Sequence, residues 1–214
     1  MRVLVLALVS ALCLASATAQ SQGLSREQAA QSLSHRDAQA RRDAANRLGE
    51  VGTMGDVPLL VRALRDPDAD ARGQAEQALW RIWGRSGDPE VDRLYQTGIE
   101  QMNGGDLQQS VLTFTRIIEL KPDFAEGWNK RATLYFLVGE LRKSLADCDQ
   151  VIKRNPYHFG ALSGYALIYA RLEQYDRALE YSRRALEVNP NMAGVRQNIE
   201  ELERLLAQRR ARTI

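Results

Sequence analysis

Histidine and cysteine are scarce in this 214-residue chain: His35, His158, Cys13 and Cys148 are all there are. Four such residues, widely separated, cannot supply a Cys/His set at the ligand spacing of a zinc site, so neither a metal nor another cofactor is expected. The phosphate-binding loops Gly-x-x-x-x-Gly-Lys and Gly-x-Gly-x-x-Gly are absent, and so is the Gly-x-Ser-x-Gly nucleophile elbow. This inventory leaves little for catalysis, and the chain is read as a non-enzyme. Charge of one sign is also missing. Twenty-nine basic against 27 acidic residues give a net charge of +2, which argues against nucleic acid as a partner. No Asn-x-Ser/Thr acceptor occurs, which fits a bacterial periplasm better than a eukaryotic secretory route.

A long membrane-spanning run is lacking too. The one apolar stretch, Val3 to about Ala15, follows the single basic residue Arg2 and precedes Ala17-Thr18-Ala19. It is short of the ~20 residues that cross a bilayer. The pattern is that of a secretory signal peptide over residues 1–19, with cleavage expected between Ala19 and Gln20, and the uncleaved anchor is the alternative. A lipid anchor at Cys13 is disfavoured because Leu12 precedes it where a small residue is the rule. The expected mature chain is periplasmic or secreted, with no stable membrane insertion after cleavage. It retains one cysteine, so it has no intramolecular disulfide and must be held together by burial.

What is present is repetition. Pro122, Pro156 and Pro190 are 34 residues apart, and each closes a similar phrase. At the same offset Gly98, Ala132 and Ala166 are small, while Leu94, Trp128 and Leu162 are large and apolar. Gly-Asp-Leu at 105–107, Gly-Glu-Leu at 139–141 and Glu-Gln-Tyr at 173–175 mark the tight turn inside each copy. The period divides this stretch into three helix-turn-helix units, 91–124, 125–158 and 159–192. After them Val195, Ile199, Leu202 and Leu206 form the apolar stripe of a capping helix over 193–212, whose Arg204, Arg209, Arg210 and Arg212 suit a solvated C-terminal helix end.

Residues 91–190 resemble the tetratricopeptide repeat (TPR) family, on Trp128, Ala132, Tyr135 and Pro156 of the second unit and Ala166, Tyr169, Ala178, Ala185 and Pro190 of the third. Ahead of them a second rhythm of period 31 relates Leu33, Asp37, Ala40, Arg41, Ala44, Leu48 and Val51 to Leu64, Asp68, Ala71, Arg72, Ala75, Leu79 and Ile82. Residues 20–83 therefore resemble two short HEAT-type repeats, in which Asp68 opens a helix and Arg72, one turn on, can pair with it. Two such units cannot bury their faces alone and should pack onto the TPR units, with 84–90 as the break. The fold class expected is an all-α helical-repeat solenoid: two HEAT-like units, three TPR units and a cap.

One helix period sets Trp128, Ala132 and Tyr135 on one face, and Asn129, Thr133 and Phe136 on a second, with Glu126 and Leu137 on its margin. Lys130 falls at the outer edge. The resemblance implies that the second face lines a concave groove that holds a protein or peptide partner. Shifted by 34 residues, that groove takes Asp92, Tyr95, Ile99, Met102 and Asn103 in the first unit, and Gly160, Ser163, Leu167, Ala170 and Arg171 in the third. Family members that grip the acidic C-terminus of heat-shock chaperones use Lys and Asn where Tyr95 and Ile99 stand, so that ligand is rejected. Asn129 is expected to meet a peptide amide. Arg131 takes a place where the family has Leu, and is read as one half of a structural ion pair with Asp147 or Asp149 on the antiparallel helix. Cys148, in step with Phe114 and Ser182, is read as a buried small hydrophobe.

Two functions are compatible with this pattern: an envelope adaptor that binds a peptide or helix, and a structural subunit whose groove is filled by its own first segment. A loose likeness of the 31-residue repeat to HEAT-type bilin lyases makes an enzyme the outlying third.

Overall fold

The computed structural model describes residues 23–212, so the expected signal peptide lies outside the described residues. Eleven α-helices and one short 3-10 turn make up the described chain, with no strand among them. The helices are α1 Arg26–Ser32, α2 Ala38–Val51, α3 Val57–Ala63, α4 Ala69–Trp83, α5 Pro89–Asn103, α6 Leu107–Leu120, α7 Ala125–Leu137, α8 Leu141–Arg154, α9 Phe159–Arg171, α10 Tyr175–Val188 and α11 Ala193–Arg212.

Local chemistry sets the starts and stops. Ser25 and Gln28 form a reciprocal capping box on α1, and Asp37, Asp68, Asp88 and Asp106 each accept a free amide at the start of α2, α4, α5 and α6. Inside the helix pairs the chain reverses through left-handed residues at one repeat position: Gly105 (φ 83°), Gly139 (φ 84°) and, in the third pair, Glu173 (φ 57°). Glycine takes that conformation freely, whereas Glu173 does so at a cost.

The 34-residue repetition is repeated in bonds. Ser110 Oγ donates to Gly98 O across the first pair (2.8 Å), and Ser144 Oγ donates to Ala132 O across the second (2.7 Å). The small residues at 98 and 132 let the paired helices approach. A Cβ on Gly98 would lie 2.7 Å from the Phe114 ring, so Phe114 fills the space that Gly98 leaves. The 31-residue repetition is equally physical. Arg41 donates to the carbonyls of His35 and Arg36, and Arg72 to those of Asp66 and Pro67, which are the same positions one repeat later. The Arg72–Asp68 pair expected from the sequence is therefore not formed. Asp68 instead takes both donors of Arg42 (2.8 and 2.7 Å), and Arg41 takes Asp66, which ties α2 to the turn before α4.

Helices α1 to α4 dock on the third TPR-like pair, α9 and α10. Their core of Leu48, Leu60, Leu64, Leu79, Ile82 and Trp83 continues into Phe159, Val188 and Met192. Asn191 Nδ2 donates to Leu64 O (2.7 Å), and Arg65 donates to the carbonyls of Glu187 and Val188. Trp80 and Trp83 close the contact on His158 and Phe159, with ring centroids 4.6 to 5.6 Å apart. Helix α11 covers the other side of the third pair: Leu202 and Val195 are buried, and Leu202 joins Ala178 and Leu179. No described helix is long and apolar enough to cross a membrane.

Candidate functional site

The residues expected along one groove separate into a buried polar floor and an open pocket. Glu126, expected on the groove margin, is only 2 % exposed. Its Oε2 meets His158 Nε2 at 2.8 Å, while Oε1 meets Lys130 Nζ and Asn129 Nδ2, both at 3.1 Å, and the Tyr95 hydroxyl at 3.5 Å. His158 caps α9: its Nδ1 accepts from Ala161 N–H (3.0 Å), so the proton on the neutral ring sits on Nε2 and is donated to Glu126. Burial by itself would raise the Glu126 carboxyl. The His158 hydrogen bond, the Lys130 charge and the Asn129 amide outweigh it and lower the pKa to about 2. Trp83 stacks on the His158 ring, with centroids 4.6 Å apart and planes 21° from parallel.

Several sequence expectations change here. Tyr95 is not a groove wall. It is buried against Phe114 and Phe124, and burial, reinforced by Glu126, raises its hydroxyl pKa. Asp92 accepts from Ser86 N (2.8 Å) and fastens the connecting loop. Lys130 points to Glu126 instead of the outer edge, because a buried carboxylate one turn back is a stronger partner than water. Asn129 gives one N–H of its amide to Glu126, which fixes its orientation, and it still borders the pocket. Trp128 is half-buried, not core: Arg131 and Arg154 guanidiniums lie 5.2 and 4.9 Å from its ring centre, and its Nε1 donates to Pro122 O.

Arg131 and Asp147 come together as a two-bond pair, Nε and Nη2 each 2.8 Å from a carboxylate oxygen, and Arg131 adds Thr115 Oγ1 at 3.1 Å. Asp149 takes no part in that pair. It accepts from the Tyr165 hydroxyl, and Tyr165 stands one repeat after Arg131 just as Asp149 stands one repeat after Thr115. Position 131/165 thus reaches back to the preceding pair in both places. Cys148 is 3 % exposed, and burial together with Asp147 and Asp149 pushes its thiol up to about 12, which disfavours the thiolate.

What stays open is a pocket of about 160 Å³ between α7 and α9. Phe136 and Leu167 form its walls, Asn129 and Thr133 one side, Ser163 and Gly164 the other, and Cys148 its floor. Leu167 in its wall is 42 % exposed, and Leu137, next to Phe136 on α7, is 52 % exposed. The furrow is present because Gly160, Ser163 and Gly164 put almost no side chain on the α7-facing side of α9. At its Gly160 end it meets the first segment: a Cβ on Gly160 would lie 2.7 Å from Cη2 of Trp80. Arg171 stands at the other end, its guanidinium 5.4 Å from the Phe136 ring centre and bonded to Phe136 O. Of the remaining expected groove residues, Ile99 and Met102 pack against the first-pair core, Asn103 is exposed and Ala170 packs toward Leu202. No local pattern announces the Glu126–His158 floor, because its partners are 32 residues apart and meet only when adjacent units stack.

The comparisons decide the family. A TPR repeat-containing protein of Rhizobium etli is 32% identical over 152 residues, which cover 71% of this chain and 74% of that protein. This chain belongs to the tetratricopeptide repeat family. The family model described as tetratricopeptide repeat matches residues 160–192, the third unit. Among solved structures, the first TPR domain of Spaghetti (RPAP3) bound to an HSP90 peptide superposes with a TM-score of 0.53 at 20% identity, over 55% of this chain and 93% of that one. MamA from Desulfovibrio magneticus superposes with a TM-score of 0.52 at 21% identity, over 78% of this chain and 88% of that one. At such identities the two structures establish the TPR fold.

Proposed function

We propose that this TPR protein is a non-catalytic adaptor of the cell envelope that captures a peptide or helix of another protein in the furrow between α7 and α9. The observation that carries the reading is the open apolar pocket bounded by Phe136, Gly164 and Leu167, with Leu137 exposed beside it. The complex of the Spaghetti TPR domain with an HSP90 peptide supports capture of a peptide as the activity. The ligand chemistry is different here, since Tyr95 is buried and Ile99 packs against the same core, so neither position offers the polar or cationic group that would clamp a C-terminal carboxylate. The leader-like pattern of Arg2, an apolar run and Ala17-Thr18-Ala19 supports export, and the 31-residue repetition of the Arg41 and Arg72 bonds supports reading the first segment as HEAT-type.

A second reading, a structural subunit of an envelope complex, is favoured by Trp80, which already occupies the Gly160 end of the furrow. Crosslinking and pull-down from envelope extracts with the mature chain separates the two. Capture that is lost with Phe136→Ala/Leu167→Ala supports the adaptor; co-purification at fixed stoichiometry under high salt supports the subunit. N-terminal sequencing of the native protein should begin within a residue or two of Gln20, and an intact Met1 would overturn the exported assignment.

A further inference from the structure

The pocket also constrains its occupant. We infer that the partner presents, in an extended segment, one Phe- or Leu-sized side chain to the pocket and an acidic side chain two residues away to Arg171; this rests on the groove reading above. The volume, about 160 Å³, is that of a cavity which holds a single benzene-sized group. No acidic or basic side chain is among those that line it, so its occupant is apolar. The furrow is continuous with an interface the protein already makes, since Gly160 carries the Trp80 ring at one end and borders the pocket at the other.

Charge comes from Arg171. It is exposed, and one nitrogen bonds Phe136 O; its other N–H groups make no hydrogen bond among the described residues. Leu167 and Arg171 are one helical turn apart, about 6 Å along α9. In an extended chain, side chains on the same face recur every two residues, about 6.6 Å. An apolar residue seated at Gly164 and Leu167 therefore brings the side chain two positions on to Arg171. A chain-terminal carboxylate does not fit as well, since it lies in the main chain and not on the side-chain face turned to the furrow.

The test uses the mature chain to select from a random-peptide display library, then measures fluorescence anisotropy with the recovered peptides. The expected consensus is an aromatic or large aliphatic residue followed or preceded at two positions by Asp or Glu. Gly164→Leu, which fills the pocket, should weaken binding at least about tenfold. Arg171→Glu should weaken acidic peptides and restore binding to versions with Lys in place of the acid. Gly164→Ala is the folded control with a narrowed pocket, because its methyl meets only Cys148 Sγ at 3.8 Å. Peptides that lose binding to Phe136→Ala/Leu167→Ala but ignore Arg171→Glu, or that require a free C-terminus, would overturn this inference and leave the groove reading standing. Failure to recover any peptide, or binding unaffected by Phe136→Ala/Leu167→Ala, would overturn both.

Discussion

Replacing Glu126 by Gln removes the charge from the floor of the groove while keeping its shape. In the native protein the carboxylate accepts from His158, Asn129 and Tyr95 and pairs with Lys130, all at 3.5 Å or less. The glutamine amide nitrogen can satisfy none of these donors. Placed at Oε2 it faces the His158 Nε2–H, and His158 cannot exchange tautomers without giving up the Ala161 bond. Placed at Oε1 it faces Lys130, Asn129 and Tyr95. Leaving buried donors and an ammonium without their acceptor should cost about 3 kcal/mol, or about 6 to 12 °C in thermal midpoint for a chain of this size. The pH dependence gives an independent measure. A carboxyl lowered from 4.5 to about 2 adds stability that is fully present above pH 4.5 and disappears as pH falls toward 2, about 3 kcal/mol in all. The difference between wild type and variant in urea unfolding should therefore be largest at pH 6 to 7 and shrink steadily below pH 4.5. Other lowered carboxylates, such as Asp56 and Asp66, cancel in that difference because both proteins carry them. A variant within about 0.5 kcal/mol of wild type at pH 7, or a difference that does not change between pH 6 and 3, would refute the reasoning.

Arg131→Ala should destabilise by about 1 to 4 kcal/mol, since Asp147 is left buried without its two-bond partner; unchanged stability with loss of partner capture would move Arg131 into the binding site. Gly98→Ala should destabilise by about 1 to 3 kcal/mol through the 2.7 Å approach to Phe114, measured by urea unfolding, and an unchanged midpoint would mean that the ring relaxes freely. Glu173→Gly should stabilise by about 1 kcal/mol by removing the left-handed strain that Gly105 and Gly139 avoid, and a loss of stability would show that the glutamate side chain compensates for it.

The helical-repeat architecture was readable because each unit states its own boundaries: a small residue at 98, 132 and 166, a left-handed turn at 105 and 139, a proline at the end. Arg131 was readable as a departure from a family position, and its antiparallel neighbour limited the acceptors to two. Between Asp147 and Asp149 the choice depended on helix phase, and Asp149 went to Tyr165 of the next unit. The groove was legible only in outline. A single-helix wheel assigns faces by angle, but Tyr95 is buried by Phe114 and Phe124 of the helix and turn that follow, and Glu126 by its bond to His158, 32 residues on, with Trp83 stacked behind that ring. The docking of the first segment on the third unit has no local signal at all, since Asn191 and Leu64 are 127 residues apart.

Site-specific photo-crosslinking tests most directly whether the furrow between α7 and α9 is where a partner is held. A crosslinking residue at position 137 sits beside the pocket, and one at position 112, on α6, is as fully exposed but far from it in the chain and outside its lining: native Leu137 and Leu112 are 52 % and 61 % exposed. In the native compartment the reporter at 137 should give a discrete partner adduct that Phe136→Ala/Leu167→Ala abolishes without loss of helix content, while 112 should give none. An adduct at 112 alone, or equal adducts at both positions that persist in the double variant, would contradict it.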